Sequence, residues 1–113
     1  MNDCLFCKII AGEIPSAKVY EDDMTYAFRD INPMMPTHVL VVPKQHLSSI
    51  AAVEEVNDHV LAACLRTCAA VAKQEGLTGG FRVVSNCGDD ACQSVKHLHF
   101  HVLGGAKMSD KMN

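Results

Sequence analysis

Gln93-Ser94-Val95-Lys96-His97-Leu98-His99-Phe100-His101-Val102-Leu103 is the stretch from which the rest of this chain is best read. Three of the six histidines alternate here with Leu98, Phe100 and Val102. Strict polar–apolar alternation is the period of a half-buried strand, so the three imidazoles should share one face, with successive Cα atoms about 6.6 Å apart, two rises of about 3.3 Å. Imidazole is the side chain best suited to proton transfer, nucleophilic attack and metal ligation near neutral pH. The wet face of an ordinary amphipathic strand would show the same period, but it normally carries Lys, Glu, Thr or Ser. Three histidines within residues 97–101 mark a functional site on a strand running from His97 to Gly104.

Working outward, Cys87 and Cys92 flank an acidic turn, and Phe81 to Asn86 is a second run of strand type. Before it, Glu54 to Glu75 reads as the longest helix, ended by Gly76, with Val56, Val60, Cys64, Cys68 and Val71 as its buried stripe and Leu61, Leu65 and Ala72 reinforcing it. His59 lies beside that stripe as a half-exposed helix residue rather than a ligand. His38 to Pro43 is β-branched and apolar, which suits a central strand ended by proline. Ser48 or Ser49 is placed to cap a short helical turn. Lys18 to Glu21 and Met24 to Arg29 form a hairpin turning at Asp22-Asp23, and Cys4 to Ala11 forms a short helix stopped by Gly12. The tail from Ala106 to Asn113 is polar and frayed. The order α-β-β-β-α-β-β predicts an α+β domain, an antiparallel sheet with helices on one face.

Composition narrows the function. The chain has 113 residues, which suits one domain spanning 1–113 with a single modest core. A net charge of −3 argues against broad binding to nucleic acid or anionic membrane, while leaving room for a small phosphate ligand in a locally positive site. No run of about 20 apolar residues spans a bilayer. The N-terminus, with Asp3 and Lys8 inside a short apolar stretch, does not read as a signal peptide, so a cytoplasmic location with reduced cysteines is expected. Cys64 and Cys68 lie one helical turn apart as core residues; Cys4 and Cys7 form a C-x-x-C pair with metal-ligand spacing.

Around the histidines stand the other parts a phosphate site needs. Asn86 ends a strand, Gly88-Asp89-Asp90 makes a turn, and Gln93 and Ser94 supply neutral donors just ahead of the imidazoles. Such donors can hold a phosphate and stabilise charge developing on its oxygens. Asp30, at a strand-to-turn junction, could accept hydrogen bonds from sugar hydroxyls. Its plain alternative is an Asx turn with Asn32-Pro33.

His97-x-His99-x-His101 followed by Val102-Leu103 resembles the signature of the histidine triad (HIT) superfamily. Cys4-Leu5-Phe6-Cys7-Lys8-Ile9-Ile10-Ala11-Gly12-Glu13-Ile14-Pro15 resembles the opening of its Hint branch, the histidine triad nucleotide-binding proteins. So do residues 27–33, residues 38–44, Gln93-Ser94 and Leu103-Gly104-Gly105, so the resemblance covers nearly the whole chain. It implies a HIT-like fold, a five-stranded antiparallel sheet with one short and one long helix, and a homodimer whose sheets join into one of ten strands. It implies a purine nucleoside phosphoramidase that hydrolyses the P–N bond of substrates such as adenosine 5′-phosphoramidate. By matching position, His99 is the nucleophile that forms a nucleotidyl-histidine, splitting one hard displacement into two easier ones. His101 bonds the phosphate and assists the leaving amine, and His38 and His97 orient the imidazoles. Asp30 takes the ribose hydroxyls; Ile31, Leu5, Phe6 and Ile9 enclose the base; Asn86, Gln93 and Ser94 contact the phosphate, with Cys92 in the same nucleotide-binding loop. Cys92 stands where related sequences carry glycine, and the tail after Gly105 lacks an aromatic residue seen in several relatives. The resemblance further implies a structural zinc ion on Cys4, Cys7, His46 and His97, though several Hint proteins fold without one. AMP and GMP are the expected nucleotides, with no organic cofactor.

Three other readings use the same residues. Dinucleoside polyphosphate hydrolases share the triad, but the Hint-like opening and Gly104-Gly105 favour the phosphoramidase. A nucleotide-binding interaction protein with negligible catalysis would need the same site. A structural metal protein would leave Asp30, Asn86 and Ser94 without a role. Nucleotidyl transferases usually carry glutamine at the third triad position, which is His101 here.

Overall fold

A computed structural model describes residues 3–112. Its centre is strand β3 (Thr37–Pro43), seven residues that are all buried. β3 pairs on one side with β2 (Thr25–Arg29) and on the other with β5 (Phe100–Gly104), while β1 (Lys18–Glu21) and β4 (Phe81–Val84) form the edges. The sheet is antiparallel throughout, in the order β1-β2-β3-β5-β4. The register sets Val39 against Val102 and Leu40 against His101. The antiparallel five-stranded sheet with few helices is the α+β arrangement expected.

The helices do not share a face. α2 (Asp58–Gln74) packs Cys68, Val71 and Ala72 on Ala27, Val39, Val41 and Val102. α1 (Leu5–Ile10) packs Phe6 and Ile9 on Tyr26, Phe28, Leu40 and Val42. Alternate residues of a strand point to opposite sides, so the helices cover opposite faces. β3 reads as a continuous apolar run because both its faces must be buried.

Several boundaries differ from the sequence reading for identifiable reasons. α2 begins at Asp58, not Glu54, because Asn57 caps it by accepting the His59 N–H at 2.8 Å. Residues 50–55 instead form a 3-10 helix capped by Ser49, which leaves Val56 outside the long helix. Leu65, assigned to the buried stripe, is 60% exposed. The triad strand is shorter than expected. The ladder starts at Phe100, because the Leu98 N–H donates to the Leu47 carbonyl at 2.7 Å and the Ser85 hydroxyl donates to the His99 carbonyl at 2.8 Å. β4 accordingly stops at Val84 rather than Asn86. Among the described residues no helix is long and apolar enough to cross a membrane.

Candidate active site

The histidines gather on the α1 side of the sheet. His101 projects from β5, while His97, at a bend, and His99 lie on the segment feeding into it. The His99 and His101 rings are 5.2 Å apart, and the Phe6 ring stands edge-on to His99 at 5.1 Å and to His97 at 6.0 Å. All three triad positions therefore meet, although the ladder reaches only the third.

Hydrogen bonds assign the protons. The Nδ1 of His99 lies 2.7 Å from the His97 carbonyl, an acceptor, so Nδ1 carries the hydrogen and Nε2 keeps its lone pair. Burial pushes the His99 pKa down, with the His97 carbonyl and Asp30 opposing, which favours the neutral imidazole with its lone pair on Nε2. His38 is fixed from its other end: the Met34 backbone N–H donates to His38 Nδ1 at 3.0 Å, which leaves the His38 hydrogen on Nε2. That Nε2–H reaches His101 Nδ1 at 2.8 Å, so His101 holds its own hydrogen on Nε2. Burial, with His99 and His38 adding to it, lowers the His101 pKa to about 4. Asp30 is placed beside this relay, with Oδ2 3.4 Å from His38 Nε2. Asp30, His38 and His101 converge as metal ligands would. The Met34 amide argues for a proton relay instead, since His38 could ligate through Nε2 only by moving its hydrogen to Nδ1, against another donor.

Other expected residues take varied places. Asp30 Oδ1 accepts the Asn32 N–H at 2.8 Å, so the Asx turn forms and the carboxylate still faces the histidines. Gln93, expected to reach a phosphate, is buried, and its side chain organises the loop instead. Its amide oxygen accepts from Gly88 N–H, and its amide nitrogen donates to the Ser48 and Val95 carbonyls. Ser94 and Cys92 are exposed and Asn86 is half-buried on that loop. Cys92 holds φ 61°, the left-handed region that favours glycine. Ile31 stands 91% exposed and Leu5 is partly exposed, whereas Phe6 and Ile9 are buried. The backbone groups of Met34 and Pro43 had no sequence signal, because every residue carries an amide.

Cys4, Cys7, His46 and His97 form a second cluster. His97 Nδ1 lies 3.3 Å from Cys4 Sγ, 3.5 Å from Cys7 Sγ and 3.1 Å from His46 Nδ1, and Cys7 Sγ lies 3.4 Å from His46 Nδ1. Ligands of a tetrahedral zinc at about 2.1–2.3 Å would sit roughly 3.4–3.8 Å apart, so the four need little adjustment. His97 is fully buried, and burial lowers its pKa to about 4. Its Nε2–H donates to the Pro43 carbonyl at 2.8 Å, which turns the Nδ1 lone pair toward the thiols, as outer partners of metal-bound histidines do.

The comparisons agree with this geometry. The HIT domain family model matches residues 11–108. The chain is 51% identical over 107 residues to the 14 kDa zinc-binding protein of Zea mays, covering 93% of this chain and 84% of the relative. It is 49% identical over 107 residues to adenylylsulfatase HINT1 of Arabidopsis thaliana, covering 93% and 73%. A histidine triad protein from Clostridium difficile matches in structure with a TM-score of 0.92 at 46% identity, covering 98% of this chain and 97% of that one. A central strand carrying His38 beside a row of triad histidines, matched in sequence and in structure across nearly its whole length, places this chain in the HIT domain family.

Proposed function

We propose that this protein is a nucleotide hydrolase that cleaves purine nucleoside 5′-phosphoramidates through a covalent nucleotidyl-His99. The observation that carries the reading is the His99 imidazole, neutral, with Nδ1–H tied to the His97 carbonyl and Nε2 left free. In the first step Nε2 attacks the α-phosphorus, forming a P–N bond to the enzyme as the substrate P–N bond breaks. The departing nitrogen takes both electrons of that bond and needs one proton. His101 is neutral in the free protein, and the negative charge of a bound phosphate would raise its pKa. It then takes up a proton with the substrate and delivers it from Nε2 to the amine. Asp30 favours that charged ring and offers the His38 Nε2–H a second acceptor. In the second step His101 Nε2 accepts a proton from water, the water oxygen bonds to phosphorus, and the bond to His99 returns its electrons to Nε2. Each step is eased by splitting the displacement.

Asp30 has lone pairs left for the ribose hydroxyls, and exposed Ile31 with Leu5, Phe6 and Ile9 would close on the base by shape. AMP and GMP should therefore bind within about tenfold of each other, since an apolar slot discriminates weakly. Asn86, Ser94 and the loop amides would receive the phosphate, with Gln93 holding that loop in form. Cys4, Cys7, His46 and His97 would hold zinc, which when bound supplies a structural cross-link between α1 and the segment before β5.

The name of the Arabidopsis relative favours a second leaving group, the sulfate of an adenylyl sulfate; the same attack at the α-phosphorus would serve. A panel of adenosine phosphoramidate, adenylyl sulfate and diadenosine polyphosphate separates these readings. His99→Ala should cut turnover by roughly a thousandfold or more while AMP binding is retained, and His101→Ala by about a hundredfold. A His99→Ala enzyme keeping a tenth of its activity, or the absence of a nucleotidyl-enzyme in single turnover, would refute the covalent route.

The two sheet edges point to a dimer through β4. β1 is bulged between Lys18 and Tyr20 and carries the Lys18–Glu21 ion pair, devices that block edge pairing. β4 instead exposes Phe81 and Val83, and Ala69 of α2 lines a cavity with Phe81, one turn from exposed Leu65.

A further inference from the structure

α1 has six residues, too few to hold a helix unaided. Two kinds of contact fix it. Cys4 at its N-cap and Cys7 in its first turn reach His97 and His46, and Phe6 with Ile9 is buried against β2 and β3. Phe6 therefore sits between the two candidate sulfur ligands in sequence and against the nucleophile in space. Its ring meets Phe28 at 5.4 Å on one side and stands at 89° to the His99 ring, 5.1 Å away, on the other.

The His99 ring is buried, and its polar and aromatic contacts are specific. Its Nδ1–H bonds to the carbonyl of His97, and its flanks meet Phe6 and His101. The outer torsion of histidine has a broad, roughly two-fold profile. A half-turn would set Cδ2 against the His97 carbonyl and Cε1 where Nε2 had stood, so that the carbonyl bond is lost and a carbon faces the substrate. Two of these restraints lead back to the Cys–His cluster: the carbonyl belongs to His97 itself, and Phe6 is carried by the helix turn that Cys4 and Cys7 anchor. The cluster and the nucleophile are thus joined through one peptide group and one aromatic ring, without a shared side-chain ligand.

We propose that Phe6 is a positioning residue for His99, and that zinc on Cys4, Cys7, His46 and His97 sets where Phe6 stands, so that the metal site governs the orientation of the nucleophile. This rests on the reading of His99 as the covalent catalyst. If Phe6 were only a wall of the base slot, its loss would appear in nucleotide affinity. If the metal were only a staple, its loss would lower stability without touching the His99 ring.

The test compares wild type, Phe6→Leu, Cys4→Ser/Cys7→Ser and the triple variant at one fixed pH. Zinc content, AMP affinity, single-turnover formation of the nucleotidyl-enzyme, and long-range proton–nitrogen NMR of the His99 ring are measured on each. Zinc-loaded wild type should show His99 as one tautomer, hydrogen on Nδ1. Phe6→Leu and the double variant should each show averaged nitrogen shifts and, at saturating nucleotide, single-turnover rates about tenfold lower, because small misplacements act on the chemical step. Phe6→Leu also trims the base slot and should lose some AMP affinity, while the double variant should stay within about threefold. The triple variant should be no slower than the slower parent, since loss of the metal already releases the link through Phe6. Should the double variant fail to fold, stepwise chelation of wild type followed by cadmium refilling gives the same readout, with the His99 signals broadening and then returning. An unchanged His99 tautomer on zinc loss, multiplied losses in the triple variant, or an effect confined to AMP affinity would overturn the proposal. The NMR arm needs no turnover, so an inactive wild type with a zinc-dependent His99 tautomer would refute the phosphoramidase reading and leave the coupling standing.

Discussion

The ring of His99 takes its tautomer from a peptide carbonyl two residues upstream, and that of His101 from a chain that ends on the Met34 amide. His101, accepting at Nδ1, must be neutral for its arrangement; His99 would donate to its carbonyl in either state, and burial favours the neutral ring at both. His97 and His101 are both lowered to about 4, against an ordinary value of 6.5. Between pH 6.5 and 4 the unfolded chain binds protons that the folded chain refuses, so stability falls as pH falls through that window. Above it both states are neutral at these positions, and below it both are charged, so the slope flattens. Urea unfolding of metal-free protein from pH 7 to pH 4 should show this fall, and His101→Gln should make it shallower. A midpoint independent of pH would contradict the buried neutral state. Cys92 presents a different strain. A left-handed conformation costs a non-glycine residue about 1–2 kcal/mol, and glycine recovers it less about 0.5–1 kcal/mol of chain entropy. Cys92→Gly should therefore raise unfolding stability by up to about 1.5 kcal/mol in urea titrations.

Among the elements, the end of β5 shows how tightly the site is tied to its surroundings. Gly105 has φ +98°, and a Cβ there would lie 2.9 Å from Pro36 Cβ. Pro36 immediately precedes β3, whose second residue is His38, so crowding at Gly105 would press on the loop that sets the relay. Gly105→Ala should cost roughly 1–3 kcal/mol of stability from strain and overpacking, read from its thermal midpoint. Gly88, at the other end of the site, receives the Gln93 amide oxygen on its N–H, while the Gln93 N–H donates to the Gly88 carbonyl. That reciprocal pair closes the loop from Gly88 to Gln93, and a buried side chain thereby shapes a surface it does not line.

For the whole molecule, the open β4 edge makes association the expected state. Val83→Glu should convert a dimer to a monomer in sedimentation velocity, because a carboxylate would be buried at the strand junction without a partner. A wild-type protein that sediments as a monomer at every concentration would remove the β4 interface. Much of this architecture is legible along the chain: the alternation at 97–101 puts three imidazoles on one side, the stripe through Val60, Cys64, Cys68 and Val71 predicts a buried helix face, and the C-x-x-C spacing together with the family resemblance marks the four residues of the Cys–His cluster. Those features are periodic, or are matched as motifs. Tertiary structure settled the rest. It set the helices on opposite faces, because β3 is buried on both sides. It ended the ladder at Phe100, because Leu47 and Ser85 claim the backbone groups of Leu98 and His99. It joined His38 to His101 across 63 positions and Cys4 to His97 across 93. Periodicity records neighbours within a turn or a strand. The amide of Met34 and the carbonyl of Pro43 acquire their parts only when distant segments meet, since a backbone group carries no residue label to announce it.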